Sequence, residues 1–285
     1  MFYICYRYIS LIRLFTVSAM GDQLVIEASA IESVDFHSHF FDKLPTDLRF
    51  EKIVMESFKP VGNFNNDSLS FNLPKLQANQ MYRLHEALLH VNVRLADKDS
   101  VTPPHGSQVS VVNNVLYSLF NEVEITLNSR KVSKDDGAGY SFMCYLHNLL
   151  NYGLDPKMTQ LAACGWYTDT ADNFTSFTSN MGLIERQTRF AKWVDKAKAM
   201  EYHDDAVPFM GKFLTDLTKD ECDILSGIEV DIRMHYSTDA FRIIAAGESL
   251  KKEWRLTLKD ALLHVPIATI NHDLYTKIEK RYRIA

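Results

Sequence analysis

Three segments of this chain alternate apolar and polar residues with a period of two. Leu89, Val91, Val93 and Leu95 alternate with His90, Asn92 and Arg94. Val123, Ile125 and Leu127 alternate with Glu122, Glu124 and Thr126. Ile228, Val230, Ile232 and Met234 alternate with Glu229, Asp231, Arg233 and His235. Successive side chains on a strand point to opposite faces, so each segment predicts a strand with one buried face and one solvated face. That is the pattern of antiparallel sheets packed on one side, not of a parallel core covered on both. Further strands are predicted at 49–58, 68–72, 241–245 and 254–264. Helices are few. Phe190, Trp193, Val194 and Ala197 have the spacing of one helix face, with Lys192, Asp195, Lys196 and Lys198 opposite. A second helix is predicted over 140–152, stopped by Gly153 and Pro156, and a short third over 112–120. Many strands with occasional helical insertions predict an all-β protein, a jelly-roll β-sandwich.

Composition changes this picture little. Of 285 residues, 46 % are hydrophobic and 24 % charged, with a net charge of −5, as in an ordinary folded domain with a substantial core. The acidic balance gives no general electrostatic grip on nucleic acid. No specific nucleic-acid site is expected. The aromatic residues Phe120, Tyr140, Tyr145, Tyr152, Trp166 and Tyr167 lack the interleaved basic residues of a base-stacking surface and are expected in the core and at subunit contacts. Cys5, Cys144, Cys164 and Cys222 are widely spaced and are expected to be reduced thiols of an intracellular protein. The apolar stretch from Phe2 to Val17 carries Arg7 and Arg13, which suits neither a secretory signal nor a membrane helix, so no membrane partner is expected. Residues 1–19 are read as an upstream extension with Met20 as the start, and 20–47 as an N-terminal arm. Asn66-Asp67-Ser68 and Asn173-Phe174-Thr175 are glycosylation sequons that matter only in a secreted chain.

Four patterns approach a catalytic or cation-binding signature. His37-Ser38-His39 is the sharpest: histidines at i and i+2 on a strand point the same way and could share a divalent metal, as in amidohydrolases. Such a barrel needs strand–helix alternation and further ligands at later strand ends, which the chain lacks. His85 to His90 misses the H-E-x-x-H spacing, because Leu89 holds the position that the second histidine needs. Cys144 and His147 could face each other on a helix, but nothing nearby supplies the electropositive setting of a nucleophilic thiol. Tyr202-His203-Asp204-Asp205 reads as a solvated loop before a cation site. With no phosphate-binding or nucleophile-elbow motif either, no enzyme, cofactor, metal or catalytic residue is expected.

Other residues carry a resemblance. Val112, Asn113, Leu116, Ser118, Leu119 and Phe120 lead into Val123, Leu127 and Asn128. Tyr140, Leu149, Leu150, Tyr152 and Gly153 follow, then Lys157, Gln160 and Leu161, then Trp166-Tyr167-Thr168-Asp169-Thr170-Ala171. Leu225, Gly227, Ile228, Val230, Ile232, Arg233, Asp239 and Phe241 complete the set. In this order they resemble the major capsid proteins of Polinton (Maverick) transposons and adintovirus-like elements, whose relics persist in animal genomes. The resemblance covers roughly 48–265. It departs at Ser129, where the family has glycine, and at Tyr140-Ser141-Phe142, where it has tyrosine–proline–tyrosine. It implies a structural protein whose capsomer is a homotrimer of double-jelly-roll chains, with itself and other capsid proteins as partners, and with an intracellular or virion location. Here 48–265 would form the first jelly roll, and 266–285 a linker toward a second that the 285 residues do not include. Two alternatives stay open: a metal-dependent hydrolase using His37 and His39, and a domesticated, non-enzymatic jelly-roll binding module.

Overall fold

The computed structural model describes residues 49–62, 67–104, 106–133, 139–199, 205–219 and 222–283. His37, His39 and the N-terminal extension and arm lie outside the described residues, as does most of the 202–205 loop.

The strands follow the alternation. β1 (Phe50–Phe58), β3 (Gln80–Tyr82), β4 (Leu88–Asp97), β8 (Val207–Lys212), β9 (Ile224–Leu225) and β12 (Trp254–Ile270) form one sheet in the order β8-β4-β12-β3-β9, with β1 paired to β12. β2 (Ser68–Leu73), β6 (Phe120–Leu127), β7 (Arg130–Lys131) and β10 (Val230–Tyr236) form the second, in the order β2-β10-β6-β7. A small ribbon pairs β5 (Val109–Val111) with β11 (Ile243–Ala245). The chain passes from sheet to sheet, and early strands pair with late ones: β1 with β12, β2 with β10, β4 with β12. This is the jelly roll, with helical insertions, that the alternation and turn signals predict.

The apolar phases of β4, β6, β10 and β12 turn into one shared core. Leu89, Val91 and Val93 from β4, Ile125 from β6, and Val230, Ile232 and Met234 from β10 are buried together with Leu263 and Val265. A one-residue register slip would turn each of these sets into water, so the core fixes the register. The opposite face of the second sheet is polar. Asn72 donates to Asp231 at 2.7 Å, and Lys131 donates to Glu124 at 2.9 Å. That bond holds the Glu124 carboxyl below its ordinary range, with burial opposing and His235 adding to the effect.

Several expected boundaries move, and β12 runs on to Ile270. The 241–245 strand is reduced to β11, because 239–242 coil into a helical turn, α6 (Asp239–Arg242). β10 starts at Val230, since Gly227 has φ +81° and breaks the extended run. The short 112–120 helix shrinks to α1 (Val115–Ser118), because Asn114 takes a left-handed φ of +60° just before it.

Ser129 sits in the hairpin between β6 and β7. Leu127 pairs with Arg130, and the two loop residues, Asn128 and Ser129, have φ of +45° and +66°. Positive φ at both positions is what a type I′ turn requires, and it favours Asn-Gly. Serine therefore keeps the turn but holds a strained conformation. Ser129→Gly is expected to raise unfolding stability by about 0.5–1 kcal/mol, the left-handed penalty net of glycine's extra unfolded entropy. A urea titration checks this, and an unchanged midpoint would count against it.

Candidate subunit interface

The longest insertion lies between β7 and β8 and carries α2 (Tyr140–Asn151), α3 (Leu154–Met158) and α4 (Met181–Ala199). α2 is twelve residues long and holds no Asp, Glu, Lys or Arg. Its inner face is Tyr140, Ser141, Cys144 and Asn148, all buried. Asn148 donates to the Asn114 side chain at 3.0 Å, which ties the helix to the turn before α1. The neighbouring Asn113 accepts from the backbone of Tyr167 at 2.9 Å. Tyr145 packs on Trp166 with ring centroids 4.9 Å apart.

The outer face of α2 is apolar and open. Phe142, Leu146, Leu149 and Leu150 are exposed, and their spacing of i, i+4, i+7 and i+8 places them along one side of the helix. α3 continues the surface. Its Pro156 does not stop a helix as expected but sits in the first turn of a new one, where its missing N–H costs nothing. Lys157 donates to the Leu149 carbonyl at 2.7 Å and closes α3 against the end of α2. Leu150, Leu154 and Met158 are each 77 % exposed. An apolar ridge on a helix without charge is poorly suited to water, and contiguous patches beyond roughly a few hundred Å² usually mark interaction surfaces.

A buried polar clamp holds this insertion on the sandwich. Arg186 of α4 is 1 % exposed. Its Nε donates to the Val111 carbonyl at 3.0 Å, one amino group to the Tyr167 carbonyl at 3.2 Å, and the other to Asp169 at 2.8 Å. Asn180 donates to the same Asp169 oxygen at 2.8 Å and accepts from the backbone N–H of Thr170 at 3.0 Å. Burial lowers the pKa of the guanidinium, and the Asp169 charge works against that shift. Arg189 donates to the Ala162 carbonyl and, at 2.7 Å, to the Pro208 carbonyl, and its guanidinium lies over the Phe209 ring. The tryptophan–tyrosine–aspartate segment 166–171 is thus the anchor of the insertion.

Cys144 and His147 both lie on α2. Burial pushes the Cys144 thiol up to about 12 and the Cys164 thiol to about 11, away from the thiolate. Burial also lowers the pKa of His147. Cys144 and Cys164 are buried, free thiols. His85 lies in a helical turn at 84–86 while His90 lies on β4, so they share no helix face. Asp205 is engaged by Arg94 at 2.7 Å. Among the described residues, no three His, Cys, Asp or Glu side chains gather as a metal site, and no helix is long and apolar enough to cross a membrane. Sequence reading missed the ridge itself. Its signal was present in the complete absence of charge from 140–151.

No protein-family model and no curated protein sequence matches the chain. A solved structure does. A chain in the 3.5 Å cryo-EM structure of the Sputnik virophage is 12 % identical with a TM-score of 0.51, the match covering 90 % of this chain and 54 % of that one. The chain has a jelly-roll fold found in a virophage. The Faustovirus major capsid protein (7 % identity, TM-score 0.44, 85 % and 58 % covered) and the mavirus major capsid protein (9 %, 0.38, 88 % and 53 %) are more distant. The chain spans about half the length of the solved chains it matches.

Proposed function

We propose that this chain is a viral-type structural protein: the first jelly roll of a double-jelly-roll major capsid protein, derived from a Polinton (Maverick)-like element. It works by burying surface, not by catalysis, and self-associates into homotrimeric capsomers that join other capsid proteins in a shell. The observation that carries this reading is the uncharged helix of the insertion, which turns an apolar ridge outward from a rigid jelly roll. Such a ridge suits a subunit contact. The fold shared with a virophage chain supports it, as does the ordered set of residues in 112–171 that resembles the element's capsid proteins. The jelly roll would supply the walls of the capsomer, and the segment after β12 would lead toward a second roll.

Multi-angle light scattering with negative-stain microscopy of the 285-residue chain tests this. The expected result is a species of three times the 32.7 kDa chain mass, or shell-like multiples of it. A monodisperse monomer would overturn self-assembly and leave a repurposed jelly-roll module.

A further inference from the structure

β1 borders the first sheet and, among the described residues, has β12 as its only strand partner. Its C-terminal end is fastened. Ser57 hydrogen-bonds to His264 Nδ1 at 2.7 Å, and Phe58 meets Tyr82 edge-on at 6.1 Å. Its middle is not covered on either side: Ile53, Val54 and Met55 are 47, 44 and 51 % exposed. Successive strand residues face opposite ways, so both faces of the strand carry exposed apolar side chains. Natural sheet edges are usually protected by charged side chains, proline or bulges; Phe50–Phe58 contains no proline and carries its charges at Glu51, Lys52 and Glu56, on either side of the apolar centre.

The sequence of this edge, Phe50-Glu51-Lys52-Ile53-Val54-Met55-Glu56-Ser57-Phe58, is close to a palindrome in chemistry. Place it antiparallel to itself about Val54. Lys52 then stands opposite Glu56 of the second strand, twice by symmetry. Ile53 stands opposite Met55, Val54 opposite Val54, Glu51 opposite Ser57, and the two end phenylalanines opposite each other. Every apolar residue meets an apolar residue and every lysine a glutamate. Other registers fail. Centring on Ile53 or Met55 sets Val54 against Lys52 or Glu56. Centring on Lys52 or Glu56 sets like charges opposite each other, which is unfavourable.

We infer that β1 is a twofold contact in which a second copy of this chain adds its own β1, joining two sheets across one antiparallel pair centred on Val54. The contact is isologous and closes on itself. It is distinct from the α2–α3 ridge and does not depend on the shell reading. If the chain does build capsomers, β1 provides a link between them.

The test uses the full chain. Directly opposed strand residues have Cβ atoms about 4.5–5.5 Å apart, near enough for a disulfide after small adjustment. Val54→Cys is expected to give a covalent dimer under mild oxidation, well above unmodified protein and above a control cysteine at exposed Leu250. By sedimentation velocity, Lys52→Glu is expected to weaken association about tenfold or more, because two attractive pairs become repulsive. Lys52→Glu with Glu56→Lys restores opposite charges and is expected to return affinity to within about threefold. No excess cross-linking at position 54, or a charge swap as weak as the single reversal, would overturn the inference. Lys52→Glu should leave trimer contacts through the ridge intact, and ridge variants should leave the Val54→Cys dimer intact, so the two proposals fail separately.

Discussion

Replacing Arg186 by methionine is expected to lower unfolding stability by about 3–5 kcal/mol, the usual loss when one partner of a buried ion pair is removed. Arg186 is almost wholly enclosed and satisfies three acceptors: the carbonyls of Val111 and Tyr167 and the carboxylate of Asp169. Methionine fills much of the volume but donates nothing. It would leave Asp169 with only the Asn180 amide and two carbonyls with lost donors, and each unsatisfied buried acceptor costs about 1–3 kcal/mol. Much of the loss comes from the stranded carboxylate. The double variant Arg186→Met with Asp169→Asn is therefore expected to be more stable than Arg186→Met alone. Urea denaturation of the three proteins decides this. If the double variant is as unstable as the sum of the two changes, the pair acts through packing and not through charge.

The second large effect concerns assembly. Leu150→Glu with Leu154→Glu is expected to abolish ridge-mediated self-association while shifting the unfolding midpoint little. Both side chains are 77 % exposed, and surface substitutions away from caps and clusters usually change stability by less than about 0.5 kcal/mol. An apolar ridge loses its value as a contact once two carboxylates must be desolvated on it. Light scattering reads the oligomer and denaturation reads the fold. Retained trimers in this variant would remove the ridge from the interface. A collapse of stability would show that the two leucines support the fold instead.

Much of the fold was legible because strand alternation reports directly on burial. Leu89 to Leu95, Val123 to Leu127 and Val230 to Met234 became β4, β6 and β10 with their apolar phase inward. Less was legible where one residue's backbone conformation overrides a periodic pattern. Asn114, Gly227 and Ser129 adopt positive φ, and each cuts or redirects an element that the surrounding side chains alone would extend. The segment after 265 was read as a linker. β12 continues through it to Ile270, and α7 (His272–Arg283) follows with Leu274, Tyr275 and Ile278 half-buried.

The candidate interface was harder to read. Leu149 and Leu150 looked like any leucine pair in a helix, and a leucine's exposure depends on which face its neighbours cover. Periodicity gives the faces of a helix but not which one meets the core. Arg186 lies outside the 190–197 helix face that the spacing predicts. Only when β5, the 166–171 segment and α4 come together does it become a buried clamp.

By itself the sequence determined the strand class, the two-faced sheets and the charge pattern of β1, because these depend on period and residue type along one segment. Only the tertiary structure decided which apolar residues are left outside and which charged residue is taken inside. Those outcomes depend on what packs against each surface, and the packing partners lie far apart along the chain.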